Sequence, residues 1–396
     1  MTVRFQIMRD PRFHLLHQVT QRFSNGPEGE EYRLARAGFV LEETLKKKSE
    51  VYPGMLLATH PEPDMGNLYC PVRGVVSEIN ERYIIIAATA PKPDDPVVPT
   101  EDLSSLEGQA LLDGLKKMGV DTRYLSQNKE LLIVNGLNPE PGITWAEPML
   151  ETHVRNLRSG LALLQRICRA RRVVIALPSG MNVAYEGLEV VHIAPEYPNS
   201  LDPLVIKAVT GKENPPDVGI VGVHTLWGLG RVVVTGMPLT ETVVTLGSRT
   251  HTGNYIIKNG TRVCDLIAHA NVKVNPGDTV VVGGPLRGQS ISLLARGLDK
   301  NTTGLFIVEA DTSPPLDGDV QCCTCGACSL VCPARLSPEM LSRYAEFARY
   351  DKCVKEHIDA WMECGLCGYV CLARRPVLQY IRLAKHKLAL ESRAIR

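Results

Sequence analysis

Nine of the chain's twelve cysteines fall between Cys322 and Cys371, while Cys70, Cys168 and Cys264 are scattered. A disulfide framework would spread its bridges through a small secreted domain; a dense run at one end of a 396-residue chain argues for metal. The first run reads Cys322-Cys323-Thr324-Cys325-Gly326-Ala327-Cys328-Ser329-Leu330-Val331-Cys332-Pro333. Cys322, Cys325, Cys328 and Cys332-Pro333 match C-x2-C-x2-C-x3-C-P in full. In that spacing three thiolates on a tight loop hold three irons of one cubane, and the fourth, at the start of a helix, points at a second cubane. Thiolates are soft donors that suit iron, and hydrogen bonds to sulfur tune the potential. Zinc also takes four cysteines, but its ribbons use paired C-x2-C units, which fits this run poorly.

The second run, Trp361-Met362-Glu363-Cys364-Gly365-Leu366-Cys367-Gly368-Tyr369-Val370-Cys371-Leu372, keeps the last three cysteines of the motif. Trp361 stands where the first belongs, and Leu372 replaces the proline. Under crossed ligation, Cys322, Cys325, Cys328 and Cys371 complete one [4Fe–4S] cluster, which leaves Cys332, Cys364 and Cys367 for the other. Three thiolates hold a [3Fe–4S] cluster, or a [4Fe–4S] cluster if Cys353, Cys323, His357 or solvent supplies the fourth position. Cys323 reads first as a small buried residue beside the loop, and Cys353, eleven residues before Cys364, as a possible but weak fourth ligand.

These cysteines need a scaffold. Residues 1–37 read as a charged lead-in without a period. From Gly38 to about Ala88, short alternating runs broken by Gly and Pro predict a small all-β module. A proline-rich linker over 89–102 follows. From about 103 to 240 the pattern is βαβ. A helix near Leu106–Met118 precedes a strand at Leu131–Val134, and one long amphipathic helix runs from about Met149 to Ala170. Strands at Val173–Leu177, Val190–Ile193 and Val218–Val221, with a helix near Leu201–Val209, predict a mostly parallel sheet covered on both faces. From 241 to about 310 the chain is β-rich again, with strands at Val243–Leu246, Tyr255–Ile257 and Thr279–Val282 and a short helix at Val263–Ala268; a β-grasp-like module fits. Asp311-Thr312-Ser313-Pro314-Pro315 reads as a linker. Ser337-Pro338 opens a helix, and a last helix spans about Pro376 to Ser392 with its charges on a solvated face.

Composition narrows the function classes. A formal net charge of +1 gives no footprint for nucleic acid, and no apolar run is long enough for a transmembrane helix. Without an apolar signal core the chain reads as cytoplasmic, meeting a membrane only through partners. Val221-Gly222-Val223 and Gly228-Leu229-Gly230 do not form G-x-G-x-x-G after a first strand, so they read as packing and turn glycines. No Ser-His-Asp or Cys-His arrangement assembles, so no catalytic residue is assigned, and Cys168 reads as core.

Several segments in order along the chain resemble the C subunit of Rnf-type ferredoxin:NAD⁺ oxidoreductases. They are Val51-Tyr52-Pro53-Gly54-Met55-Leu56, Cys70-Pro71-Val72-Arg73-Gly74-Val75-Val76, Leu132-Ile133-Val134-Asn135-Gly136 with Pro139-Glu140-Pro141, Ile206-Lys207-Ala208-Val209-Thr210-Gly211, Gly283-Gly284-Pro285-Leu286-Arg287-Gly288 and the second cysteine run. The resemblance implies a multidomain α/β chain. Its parts would be a barrel-sandwich β module over 38–90, a Rossmann-like α/β domain over 103–240, a β-grasp domain over 241–310 and a helical ferredoxin domain over 318–394. The family's central domain is related to the NADH-binding flavoprotein subunit of respiratory complex I, where a loop of the form G-G-A-G-F-P-T cradles the FMN phosphate. Glycines are needed there because backbone N–H groups must approach phosphate closely. This chain has Gly119-Val120-Asp121-Thr122-Arg123-Tyr124-Leu125-Ser126-Gln127 instead, and Leu137 and Asn138 stand where relatives carry acids. Glu140 remains as a weak cofactor-binding candidate. Both departures argue against FMN and NADH and make the chain similar in this respect to the A subunit of the sodium-pumping NADH:quinone oxidoreductase.

The resulting expectation is an iron–sulfur electron-transfer subunit of a larger redox complex, relaying single electrons between a small redox protein, such as a ferredoxin or a flavoprotein, and other subunits. The alternatives are an FMN-dependent NADH dehydrogenase subunit and a scaffold subunit that docks partners.

Overall fold

Leu131–Asn135 is buried at all five positions, and a strand with no polar alternation must be covered on both faces. In the computed structural model, which describes residues 13–15, 23–96, 101–123, 125, 128–181, 183, 185, 187–310 and 321–394, it lies inside a four-stranded parallel sheet. The order is Glu189–Ile193, Arg172–Pro178, Leu131–Asn135, Val218–Gly222. Leu132 and Val134 face a core shared with helices Gly108–Lys117, Val154–Cys168 and Val223–Thr235. Leu131 and Ile133 face the opposite core, closed by Val205 and Ile206 of helix Asp202–Thr210. The alternation is the period of two expected of a strand. Cys168 is buried in the first of these cores, as expected.

Two expectations need correction here. The long helix over 149–170 is two, Ala146–Thr152 and Val154–Cys168, broken at His153. The break lets the second helix lie along Val223–Thr235, a helix the packing glycines concealed. These two helices approach until backbones touch: a Cβ on Gly230 would sit 1.8 Å from the Asn156 carbonyl oxygen. The lead-in is not periodless either. Glu31–Ala35 is a strand with Tyr32 and Leu34 buried, paired antiparallel to Tyr83–Ala88. Its alternation was hidden among charged neighbours.

That strand starts the first β unit. A four-stranded sheet and the three-stranded sheet of Val40–Leu41, Leu56–Thr59 and Leu68–Tyr69 enclose Tyr32, Leu34, Val51, Leu57, Cys70 and Ile86. Cys70 is core; its thiol donates to the Val72 carbonyl at 3.0 Å. A six-stranded mixed sheet over the 241–308 region takes Ser24–Asn25 as its edge and packs helix Val263–His269 on one face. The cysteine region is helical: Ala327–Leu330, Pro338–Glu346, Tyr350–Lys355, Leu366–Tyr369 and Val377–Ala394 surround a small core containing Leu341, Cys353, Trp361 and Ile381. The linker read at 311–315 lies outside the described residues. Among the described residues no helix is long and apolar enough to cross a membrane.

Candidate metal centre

The two cysteine runs fold as repeats at a constant offset, which pairs Cys325 with Cys364, Cys328 with Cys367 and Cys332 with Cys371. Thr324 and Glu363 both take φ near +55° (53° and 57°), Gly326 and Gly365 take 70° and 79°, and Arg335 and Arg374 take 56° and 52°. A one-turn helix follows each glycine, Ala327–Leu330 and Leu366–Tyr369. A left-handed conformation is costly for threonine or arginine and persists where the surroundings demand it. Here it turns backbone N–H groups onto sulfur. The Thr324 amide donates to Cys322 Sγ at 3.4 Å, Leu336 to Cys332 Sγ at 3.4 Å, and Arg375 to Cys371 Sγ at 3.3 Å. Such donors favour thiolate and tune a bound cluster.

Cys322, Cys325, Cys328 and Cys371 line one small cavity, together with Cys323, Glu339 and Arg375. Cys371 thus reaches across from the second run to the first. The Cys332, Cys364 and Cys367 thiols lie within electrostatic reach of one another. Burial pushes Cys367 up to about 12, with its sulfur neighbours adding to it. Burial, then the Glu339 carboxylate that accepts from its thiol at 3.2 Å, pushes Cys328 up to about 12. As free thiols both hold their protons, and a metal that binds them must displace those protons. Among the described residues no three His, Cys, Asp or Glu side chains converge on a single-ion site. A cubane does not require that, because each thiolate binds a separate iron.

Trp361 occupies the position equivalent to Cys322 and is buried, with Lys385 Nζ 5.7 Å over its ring and donating to its carbonyl at 3.1 Å. The structure places the named fourth-ligand candidates elsewhere than in a common cavity with Cys364 and Cys367. The buried Cys353 thiol faces the Leu341 carbonyl at 3.7 Å. Cys323 is exposed on the first loop, hydrogen-bonded to the Cys325 thiol, and His357 is exposed in a left-handed turn.

The second half of the centre is seated against the rest of the chain. Tyr197 Oη donates to the Cys364 carbonyl at 2.6 Å, and Cys364 packs with Leu15, Leu201 and Leu366. At Gly365 a Cβ would meet the Leu286 carbonyl oxygen at 2.4 Å, so the loop fits only without a side chain. The same loop, Leu286-Arg287, is gripped by Glu140, which is 1% exposed. Its Oε1 accepts the amides of Leu286 (2.5 Å) and Arg287 (2.7 Å), and Oε2 accepts Arg287 Nε at 3.2 Å. Arg382 closes the circuit by donating to the Arg287 carbonyl at 2.6 Å and pairing with Glu363. Sequence reasoning missed Tyr197, Arg375 and this loop junction, because each contact joins distant segments.

A second cavity, of about 560 Å³, opens at the carboxyl ends of strands Leu131–Asn135 and Val218–Gly222, with Asn135, Ser200, Asp202, His224 and Arg287 on its wall. Asp121, from the segment that stands in place of a phosphate-cradling loop, also lines it. Burial works to raise the Asp121 carboxyl, but Lys300 at 2.6 Å and the Gly66 amide outweigh it and hold it below the usual range. Lys300 also donates to the Gly119 carbonyl at 2.8 Å.

No protein-family model matches the chain. Among curated proteins, it is 28% identical over 276 residues to the C subunit of the ion-translocating oxidoreductase complex of Buchnera aphidicola, covering 65% of this chain and 58% of that one. Its identity to the corresponding C subunits of Edwardsiella ictaluri and Erwinia tasmaniensis is 32% and 29%, covering 67% and 73% of this chain but 36% and 40% of theirs. The chain therefore spans well under two thirds of these relatives' own length. Among solved structures, NAD⁺-reducing [NiFe]-hydrogenase in its H2-reduced and air-oxidized states is similar at TM-scores of 0.42 and 0.37. Sequence identity there is 16% and 17%, over 66% and 60% of this chain and 57% and 48% of those chains. The sequence relationship is the informative one: the chain is a homologue of the C subunits of ion-translocating oxidoreductase complexes.

Proposed function

We propose that this chain is an iron–sulfur electron-transfer subunit of a larger redox complex, relaying single electrons between a small redox protein and the complex's other subunits. The observation that carries the reading is the thiol-lined cavity in which Cys371 of one run joins Cys322, Cys325 and Cys328 of the other, with Cys323 also on its wall. These four hold a [4Fe–4S] cluster, and Cys332, Cys364 and Cys367 hold a second cluster, [3Fe–4S] or [4Fe–4S]. When bound, the clusters supply one-electron redox chemistry; the protein's residues hold, orient and insulate them. Cys325 is exposed, whereas Cys364 is buried against the α/β sheet unit and Cys367 is buried in the core of the helical region. The first cluster is then the one a ferredoxin- or flavoprotein-like carrier approaches, and the second the inner one. The scaffold is a barrel-sandwich module over 38–90 joined by strand Glu31–Ala35, a Rossmann-like domain over 103–240, a β-grasp domain over 241–310 and a helical ferredoxin domain over 318–394. Each region has a core of its own, although Val243 and Phe306 of the β-grasp region also pack into that of the Rossmann-like region. Location at a membrane is through partners.

A second reading, an FMN-dependent NADH dehydrogenase, is favoured by the 560 Å³ cavity at the strand ends. The residues fit FMN poorly: an ionised Asp121 and its Lys300 partner stand in the segment where backbone N–H groups would have to meet phosphate. Iron analysis, absorbance and EPR of the purified protein test both readings. We expect broad iron–sulfur absorbance without stoichiometric flavin. Bound FMN bleached by NADH would overturn that, and undiminished partner-linked electron transfer in Cys328→Ala would leave the relay role without support.

A further inference from the structure

The repeat in the cysteine region exposes one asymmetry with electrostatic content. Leu336 and Arg375 occupy equivalent positions, each donating its backbone amide to the last cysteine of its run. The fold therefore needs only a backbone N–H there, and a leucine meets the need in the first copy. In the second copy the side chain is a guanidinium, 6% exposed, on the wall of the cavity formed by Cys322, Cys325, Cys328 and Cys371. It pairs with Glu346, lies 3.5 Å from Ser342 Oγ and stacks over the Tyr380 ring at 5.0 Å. The other charge facing the cavity is Glu339, against Cys328 on a different helix. Burying a guanidinium costs several kcal/mol of desolvation, and a hydrophobic residue in its place is often neutral or better. Retaining charge where the sibling position does without it calls for a purpose other than packing.

We propose that Arg375 is a positioning residue that sets the redox equilibrium of the cluster held by Cys322, Cys325, Cys328 and Cys371, its fixed positive charge favouring the reduced form. The inference rests on the cluster reading above. The step is a bare one-electron transfer: one electron enters from the carrier protein, no bond forms or breaks, and no proton is consumed. The added charge spreads over the cluster and its thiolates, where a nearby cation in a low-dielectric wall stabilises it. Glu346 attenuates the effect, so the charge of the pair, and not of Arg375 alone, governs the size.

The test is a mediated redox titration of the full chain followed by EPR, with iron content as the control. In Arg375→Gln the reduction equilibrium of this cluster should shift about tenfold toward the oxidised form, about 59 mV for a one-electron couple, while the other cluster keeps its midpoint. Arg375→Lys, which keeps charge but loses the planar fork, should stay closer to the native midpoint than Gln does. Glu346→Gln, at a partly exposed site, should move the midpoint the opposite way. An unchanged midpoint in Arg375→Gln at native iron content overturns the proposal, as does a Lys variant displaced as far as Gln. If Arg375→Gln fails to hold iron, Glu346→Gln decides, and no upward shift there refutes it. Absence of iron from the native protein would instead sink the cluster reading.

Discussion

Glu140 offers the sharpest separation between a residue that holds a ligand and one that holds the protein together. Its carboxylate takes two backbone amides and one guanidinium N–H from Leu286-Arg287 at 2.5 to 3.2 Å, in a nearly fully buried position. Glu140→Ala strands both amides. A buried donor left without a partner costs about 1–3 kcal/mol. The Arg287 side chain, 32% exposed, recovers much of its loss from water. The expected destabilisation is therefore about 3–5 kcal/mol. Glu140→Gln retains one oxygen for the amides but turns an NH2 toward Arg287, and about 1–2 kcal/mol is expected. Because Leu286 also abuts Gly365, the damage should appear at the metal centre as faster loss of the visible cluster absorbance in urea, at a lower midpoint than native. Unfolding of a chain with several cores need not be two-state, so the shift in midpoint is the quantity to compare. A Glu140→Ala protein within about 0.5 kcal/mol of native would refute the structural assignment. Loss of a bound small molecule at unchanged stability would point back to a cofactor role.

Trp361→Cys supplies the thiol missing from the second repeat. Where the native protein holds about seven irons and shows an oxidised-state [3Fe–4S] EPR signal, it should raise the content to about eight and abolish that signal. Losing the buried ring should cost about 3 kcal/mol of stability in the metal-free protein. From that starting point, an iron content that stays at about seven would count against the equivalence of Trp361 and Cys322. Glu147 is pushed up from about 4.5 to about 7, chiefly by burial. Its neutral form is the one the fold prefers, so its contribution is fully present below pH 4.5 and is lost as pH rises through 7. Glu147→Gln should therefore flatten that slope and, after allowance for partial exposure, exceed native stability at pH 8 by about 1–2 kcal/mol. Thermal melts at pH 5 and pH 8 check it, and equal differences at both pH values would refute it.

The proposed metal centre rests on the part of the sequence easiest to read, because ligation demands a residue type and spacing within a few positions. The parallel strands were legible for a related reason: Leu131–Asn135 and Arg172–Pro178 are buried along most of their length, and such runs have few alternatives. What stayed hidden depends on partners far away in the chain. Gly230 looks like a turn or packing glycine until Asn156 of helix Val154–Cys168 is seen pressed against it. Glu31–Ala35 needed Tyr83–Ala88 beside it to be recognised as a strand. Glu140 looked like a remnant of a ligand site because its partners, Leu286 and Arg287, lie in another unit. The cluster candidates Cys322, Cys325, Cys328, Cys371, Cys332, Cys364 and Cys367 could be read off directly, but the setting that distinguishes the two halves, Arg375 against Leu336, could not.

The one-turn helices that follow Gly326 and Gly365 have four residues each. Helices that short do not persist in water by themselves. The crossed ligand set proposed above would close the chain between the two runs in both directions, and a cross-link over such a span restricts the unfolded ensemble by about 3–4 kcal/mol. Iron and sulfide delivery is then a step in making this region, not a later addition to a finished one. During biosynthesis the nascent C-terminal segment would wait, with Trp361 and Arg375 still in water, until metal arrives. Starvation for iron would accordingly lower the amount of intact protein, through proteolysis of the waiting segment, before it lowered the activity of each folded molecule.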